Sequence, residues 1–202
     1  QGEKVKVTCT KSNEGFATAG GVQYVACAGN FKDAGLEYTG ALKVLQMIFS
    51  YEYLWIQIRV KGGAYGCMCS FSDQGDSMFV TYRDPNLSES YKVYDEAADY
   101  VADFDADDRD MKKYIIGTIG SMDMPMEAVD MGARSFHAYF LGKTEAELQK
   151  VRDQVLSCTQ EDIRALAPIV KAVVEAGNRC CIGNEEKIDQ NKEYFDEVKH
   201  VL

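Results

Sequence analysis

The stretch RVKGGAYG, residues 59–66, decides the fold because it separates a segment with helical periodicity from one with strand alternation. Its three glycines fall within five residues, so the backbone can turn sharply here and approach another surface closely. Arg59 and Tyr65 flank the turn. Both side chains donate hydrogen bonds at neutral pH, and neither is a useful nucleophile. Such a pair can bind or polarise a ligand but cannot hydrolyse one unaided.

The segments on either side of this turn have opposite periodicities. Residues 38–50 place their apolar side chains at helical spacing, and residues 51–58 continue that pattern after a kink. Gly62 and Gly63 are expected to end this helix. Residues 65–72 and 77–82 then alternate between apolar and polar, which predicts a β-hairpin.

The remaining patterns complete an α+β domain. Residues 3–10 and 22–28 alternate as strands, the second inside a covered sheet because both its faces are apolar, and polar, glycine-rich residues 11–21 predict a loop. Residues 179–183 predict a further strand. Helices are predicted at about 87–103, 106–120, 125–141, 144–157, 160–176 and 185–202. Residues 1–202 are therefore expected to form a single domain, with a mainly antiparallel sheet packed by several helices.

Composition excludes several classes of function. The net charge of −10, from 32 acidic and 22 basic residues, argues against a nucleic-acid surface. The sequence contains no signal peptide and no apolar run long enough to cross a membrane. Its seven cysteines, mostly in apolar segments, predict reduced buried thiols in a reducing compartment. The cytoplasm fits this expectation; an organelle matrix stays open, because a targeting segment is not visible in a fragment.

No motif for metal, nucleophile or phosphate chemistry is complete. His137 and His200 belong to no zinc motif. Cys67 and Cys69 would share one face of a strand, and packing in the core is a simpler explanation of this pair than a metal site. The acidic run at 103–110 lacks the glycine and terminal glutamate of a calcium loop and predicts a helix junction. The glycine turn lacks the spacing of a phosphate loop, and from spacing alone it predicts a tight helix-to-strand turn.

Five segments together carry a resemblance to a known family. They are NEGF (13–16), VQYVA (22–26), GNF (29–31), YTGALKVL (38–45) and RVKGGAYG (59–66). From about Glu14 to its end, the chain resembles the C-terminal domain of pitrilysin/insulinase-type zinc metallopeptidases, in the presequence-protease branch. The most specific feature is the arginine-to-tyrosine spacing around the double glycine.

The resemblance implies a half-chamber domain of a clam-shell zinc oligopeptidase that degrades short unstructured peptides. It implies that Arg59 and Tyr65 act on the substrate carbonyl, with Gly62 and Gly63 beside them as substrate-binding residues. The zinc motif HxxEH of such enzymes is absent from this sequence. The chain is therefore expected to be a fragment or a separate subunit, inactive alone, with no cofactor of its own. Its expected partner is an N-terminal, zinc-bearing half of the same enzyme.

Three further expectations accompany this one. The alternative function is a non-catalytic structural or peptide-binding subunit of a larger assembly, and an independent cysteine hydrolase is a third possibility. Tyr51, Tyr53 and Trp55 either contact the partner half or pack inside the domain, and packing is predicted for at least two of them.

Overall fold

The structure is a computed structural model that describes residue 5 and residues 10–201. The strand predicted over residues 3–10 falls almost entirely outside these described residues.

Six strands form one mixed sheet within the described part of the chain. Their bounds are β1 (Glu14–Thr18), β2 (Tyr24–Asn30), β3 (Gly66–Phe71), β4 (Asp76–Tyr82), β5 (Asn178–Asn184) and β6 (Glu197–His200). Their order across the sheet is β3-β4-β2-β5-β1-β6. The contacts β3–β4, β4–β2 and β2–β5 are antiparallel, whereas β1 is parallel to both β5 and β6. The predicted α+β class with a mainly antiparallel sheet is confirmed, with a parallel edge added.

Helices occupy most of the rest of the chain. Their bounds are α1 (Ala41–Tyr51), a π-helix (Trp55–Lys61), α2 (Ser88–Asp95), α3 (Ala97–Ala102), α4 (Asp108–Met122), α5 (Ala128–Phe140), α6 (Glu145–Leu156), α7 (Gln160–Arg164), α8 (Ala167–Glu175) and α9 (Glu185–Gln190), with 3-10 turns at Phe31–Ala34 and Lys192–Tyr194. The predicted helix 87–103 is broken into α2 and α3, and the predicted helix 160–176 into α7 and α8. The break between α7 and α8 precedes Pro168, which cannot donate the backbone hydrogen bond of a continuous helix. The capping box between Thr144 and Glu147 is confirmed at the start of α6.

Two predictions at the ends of the chain were wrong. Residues 11–21 are not simply a loop, because β1 lies within them. Gly15 is closely packed there, since a Cβ would lie 3.0 Å from Ile188 and 3.1 Å from Phe195, and these side chains would have to move to admit it. Residues 185–202 are not one helix either, because α9 ends at Gln190 and β6 follows. β1 forms by pairing with both β5 and β6, and β6 forms by pairing with β1.

The helices cover one face of the sheet and leave the other open. All six residues predicted to form the buried face of α1 are buried at 4% exposure or less (Ala41, Leu42, Val44, Leu45, Ile48 and Phe49). Val25 and Cys27 of β2 belong to the same core cluster and are buried too. The opposite face, called the open face below, carries Met68, Tyr82 and Ile182, which are 38–51% exposed. The expectation that β2 lies in a sheet covered on both faces was therefore wrong.

Candidate functional site

The double glycine ends the π-helix as the sequence predicts. Gly62 N donates to the carbonyl of Gln57 at 3.0 Å, and Gly63 N donates to that of Arg59 at 3.0 Å. Gly63 has a φ of +80°, in the left-handed region that favours glycine. At Gly62 a Cβ would lie 2.5 Å from the carbonyl oxygen of Ile58. The chain can therefore reverse into β3 here only with glycine at these two positions.

This reversal brings Arg59 and Tyr65 together. The Arg59 guanidinium carbon lies 5.7 Å from the centre of the Tyr65 ring and 4.2 Å from that of Trp55, one helical turn earlier. Tyr65 is 64% exposed, and Arg59 is exposed as well. No hydrogen bond or ion pair to another described residue engages the Arg59 guanidinium or the Tyr65 hydroxyl. Both donors are thus available to a ligand.

Trp55 completes this site in a way that the sequence did not predict. Packing was expected for at least two of Tyr51, Tyr53 and Trp55, but only Tyr53 is buried, whereas Tyr51 is 65% and Trp55 38% exposed. A guanidinium stacked on an aromatic face keeps its N–H edge free to donate. The i, i+4 spacing of Trp55 and Arg59 was the signal that could have revealed this stack.

The turn after β4 holds the glycine loop in place. Asn86 Nδ2 donates to the Gly62 carbonyl at 2.7 Å, and Tyr65 N donates to the Arg83 carbonyl at 3.2 Å. Arg83 has a φ of 49°, a conformation uncommon for a residue with a side chain. The sequence identified Asp84-Pro85-Asn86 only as a loop leading into a helix, because its contact with Gly62 spans 24 positions.

The carboxyl group of Asp84 anchors this turn to the domain. It is fully buried and accepts hydrogen bonds from Ser90 Oγ at 2.6 Å and from the Asn86 backbone at 2.9 Å. Asp84 and Gln23 also exchange two backbone hydrogen bonds, of 2.7 and 2.8 Å. Burial raises the pKa of the Asp84 carboxyl group, although its hydrogen bonds act in the opposite direction.

An aromatic row leads from the site onto the open face. The Tyr65 and Tyr82 ring centres are 5.7 Å apart, and those of Tyr82 and Tyr24 are 5.4 Å apart, both in edge-to-face contact. The register then places Ile182 beside Tyr24, and Phe16 beside Ile182. An apolar surface therefore runs across the sheet from the two hydrogen-bond donors.

The other candidate residues form no second site in the described part of the chain. Among these residues, no three His, Cys, Asp or Glu side chains are placed to hold a metal ion. His137 and His200 are both exposed, on α5 and β6. In the acidic run, Asp107 caps α4 by accepting hydrogen bonds from the backbone of Arg109 and Asp110, which confirms the predicted helix junction.

The described cysteines are not suited to nucleophilic catalysis. Burial raises the pKa of Cys27 and Cys67 to about 11, and that of Cys158 and Cys181 to about 12. The pKa values of the Cys69 and Cys180 thiols are raised by the same cause. Since the thiolate is the reactive form, the raised pKa values disfavour it at neutral pH, which argues against the cysteine-hydrolase hypothesis.

None of the helices within the described residues combines the length and the apolar character that crossing a membrane requires.

Comparison with known proteins places the whole domain in context. Residues 13–184 match the family model described as PreP C-terminal domain. Protein HypA of Clostridium perfringens is 43% identical over 192 residues, which are 95% of this chain and 20% of HypA. Presequence protease 1, chloroplastic/mitochondrial, of Arabidopsis thaliana is 34% identical over 194 residues, covering 94% of this chain and 18% of that protein. The chain thus spans about a fifth of the length of the curated relatives it matches.

A solved structure shares the fold. The crystal structure of a peptidase M16 inactive domain from Pseudomonas fluorescens superposes with a TM-score of 0.61 at 15% identity. The match covers 89% of this chain and 45% of the Pseudomonas chain.

Proposed function

The chain belongs to the PreP C-terminal domain family, and from that premise we propose that it is the C-terminal domain of a zinc-dependent oligopeptidase. The resemblance to the presequence-protease branch is confirmed by this membership. In the proposed enzyme, the domain closes the peptide-degrading chamber and presents Arg59 and Tyr65 to the substrate.

The juxtaposition of two unengaged donors is the observation that carries the proposal. Arg59 and Tyr65 lie at the same exposed turn, with ring and guanidinium 5.7 Å apart. During peptide hydrolysis, negative charge develops on the carbonyl oxygen of the bond being broken. A guanidinium and a phenol hydroxyl can both donate to this oxygen or to a neighbouring backbone carbonyl. Because the loop is already held by Asn86 and Arg83, its donors need little reorganisation when the substrate binds.

The loop glycines serve the same role by their size. Without a side chain, the exposed Gly63 leaves room for a substrate backbone to lie against the turn. A Cβ at Gly62 would point at the Ile58 carbonyl, so the contribution of Gly62 is the shape of the turn that the substrate meets. The aromatic row that begins at Tyr65 extends this surface with apolar side chains. We therefore assign the substrate-binding role to Arg59, Tyr65 and the two glycines.

The described residues do not fit a zinc site, since no suitable group of ligands exists among them. The proposed contribution of this chain is hydrogen-bond donation and closure, and zinc would be held by another part of the longer polypeptide. The domain alone is therefore expected to be inactive. Its expected partner is the N-terminal, zinc-bearing half of the enzyme, and its substrates are short unstructured peptides. A reducing compartment, the cytoplasm or an organelle matrix, fits the six described cysteines, which form no disulfide with one another.

Two substitutions in the full-length enzyme test the proposal. Arg59→Ala and Tyr65→Phe should each lower kcat by about 100- to 1,000-fold, the typical effect of removing one donor to a developing oxyanion. Steady-state kinetics on an unstructured peptide measure kcat, and metal analysis of the same samples measures the zinc content. The zinc content should not change, because neither residue is placed to bind the metal.

Arg109→Ala is the matched control, since Arg109 is an exposed arginine on α4. It should leave kcat unchanged. Near-normal kcat in both loop variants would refute the assignment of these donors.

A non-catalytic role as a structural or peptide-binding subunit is the second candidate, and the open apolar face supports it. This non-catalytic role requires no zinc-bearing half. Sequencing the full gene distinguishes the candidates, because the peptidase proposal requires an HxxEH motif elsewhere in the same polypeptide.

A further inference from the structure

Helix α5 differs from the other long helices of the domain. Among the described helices of eight residues or more, it is the one that buries no residue. A helix in a globular domain normally gains its stability by burying an apolar face. The apolar residues of α5 therefore need a separate explanation.

These apolar residues lie in a stripe along one face of α5. Val129, Ala133, Phe136 and Phe140 follow one another at spacings of four, three and four, which align on a helix. Val129 is 73%, Phe136 59% and Phe140 72% exposed. The rings of Phe136 and Phe140 lie 4.8 Å apart and form a continuous surface, beside which Tyr139 is 82% exposed. We call this surface, Val129 to Phe140 with Tyr139, the α5 stripe.

The size of the stripe indicates what kind of partner covers it. An aromatic side chain buries about 150–250 Å² when fully covered, so the exposed parts of its three aromatic residues amount to roughly 300–500 Å². An apolar patch of this size is comparable to the largest patch on a typical monomer, which is often a binding surface. It is smaller than the roughly 800 Å² that each partner contributes to a stable interface between separate proteins. A domain on the same polypeptide needs less area, because the covalent link raises its effective concentration.

The relatives of this chain are longer polypeptides that could contain such a domain. The chain corresponds to only 20% of HypA and 18% of the Arabidopsis protease. The Pseudomonas chain also extends well beyond the shared fold, which covers 45% of it. In proteins built this way, most of the chain lies outside the domain and is available to cover an apolar face.

The position of the stripe is compatible with the proposed site. Lys143, just after α5, forms an ion pair with Asp73 in the turn that joins β3 to β4. Arg59 and Tyr65 lie at the other end of that hairpin, where β3 begins at Gly66. Six residues of strand span about 20 Å. A partner seated on α5 would therefore leave the donor loop accessible.

We propose that the α5 stripe docks onto another domain of the same longer polypeptide, through an apolar surface that receives Phe136 and Phe140. The inference rests on the proposed function, in which this chain is one domain of a larger enzyme. Docking there would fix the domain to the rest of the longer polypeptide, while the donor loop at the opposite end of the hairpin faces the substrate.

Hydrogen exchange in the full-length protein tests the inference with a matched pair of variants. Phe136→Glu puts a carboxylate into the stripe, whereas Arg134→Glu puts one at an exposed position about 160° around the helix from Phe136. The amides of residues 128–140 should exchange slowly in the wild type and in Arg134→Glu. In Phe136→Glu they should exchange about 10- to 100-fold faster, the factor that losing one buried aromatic side chain predicts. If Phe136→Glu does not yield folded protein, Phe136→Ala makes the same comparison at a smaller perturbation.

Equal exchange in all variants would mean that the stripe is free in solution, and the inference would be wrong. It would also be wrong if Phe136→Glu changed the protein from dimer to monomer in sedimentation, since the occupant would then be a second copy. None of these readouts depends on catalysis. Loss of α5 protection together with normal kcat in the Arg59 and Tyr65 variants would refute the proposed donors and leave the docking surface intact.

Discussion

Arg59 has no carboxylate partner among the described residues and is oriented by aromatic rings. Its guanidinium lies over Trp55 at 4.2 Å and next to Tyr65 at 5.7 Å. Stacking restricts the arginine side chain without consuming its hydrogen-bond donors, which an ion pair would do. The same residue can therefore be both ordered before a ligand arrives and free to bind it.

Asn86 is the residue whose loss should loosen this arrangement most selectively. Asn86→Ala leaves the Gly62 carbonyl without its 2.7 Å donor. We expect the free energy of unfolding to fall by about 0.5–1.5 kcal/mol. In the full-length enzyme, kcat should fall as well, because the loop carrying Arg59 and Tyr65 is less firmly held. Urea denaturation and steady-state kinetics measure the two effects.

Asn191→Ala provides the comparison. The Asn191 side chain donates to the Lys187 carbonyl at 2.8 Å in an equally half-buried position, far across the sheet from the loop. A similar loss of stability with no loss of kcat is expected there. If both variants lowered kcat equally, Asn86 would have no specific connection to the loop.

We expect the buried carboxyl group of Asp84 to make the free energy of unfolding depend on pH. Because burial raises the pKa of its carboxyl group, the folded protein holds this proton more tightly than the unfolded chain does. The resulting contribution to stability is present below the unfolded pKa of about 3.9 and is lost as pH rises through the folded pKa. Asp84→Asn stays neutral and avoids this loss. The difference in unfolding free energy, variant minus wild type, should therefore increase from about pH 3.5 to pH 7.

Urea denaturation of both proteins at each pH measures this difference, and the other titrating groups cancel in the comparison. A difference that stays flat or decreases over this range would show that Asp84 is ionised without penalty in the folded protein.

At the scale of secondary-structure elements, close approach between β2 and α8 depends on a glycine. A Cβ at Gly29 would lie 2.5 Å from the carbonyl oxygen of Val173 and 2.9 Å from its Cα. Backbone atoms cannot give way as a flexible side chain can, so Gly29→Ala should force the helix off the sheet. We expect a loss of about 1–3 kcal/mol in the free energy of unfolding, measured by chemical denaturation.

Gly120→Ala should have the opposite effect on the free energy of unfolding. Gly120 lies in α4, and a Cβ there would meet nothing within 4 Å. Alanine should stabilise this helix by about 0.5–1 kcal/mol. A destabilised Gly120→Ala, or an unaffected Gly29→Ala, would contradict the packing described here.

The strands at the end of the sheet illustrate how elements depend on one another. β1 is short, contains Gly15 and comes from a polar segment, so its local propensity for a strand is low. It forms because β5 and β6 pair with it on both sides. The same pairing converts residues 197–200 into β6, although their charged sequence was predicted to be helical.

At the scale of the whole molecule, the described residues include two apolar surfaces that lie in different places. One is the open face of the sheet, which adjoins Arg59 and Tyr65 through the aromatic row. The other is the α5 stripe, near the opposite end of the β3–β4 hairpin. We assign the first to substrate and the second to a neighbouring domain, so each surface has one role in a larger enzyme.

The sequence by itself determined the features that depend on residues close together in the chain. The buried face of α1, the capping box at Thr144, the end of the π-helix at Gly63 and the end of α8 near Gly177 all follow from local periodicity or from one special φ angle. The family was also recognisable, because its most specific segment is a continuous run of eight residues, 59–66. The spacing of Arg59 and Tyr65 in that run predicted the pair that the fold brings together.

Only the tertiary structure decided which strands exist at the edge of the sheet, which face stays open and what supports the donor loop. β1 is held by partners about 165 positions away, as in the hydrogen bond from Thr18 to Gly183. The Asn86 contact to Gly62 and the buried carboxyl group of Asp84 likewise join segments with no shared local pattern. Local propensity is set by neighbours in sequence, whereas these contacts form only when distant segments pack. For that reason the donor residues were predictable from the sequence, and the scaffold that positions them was not.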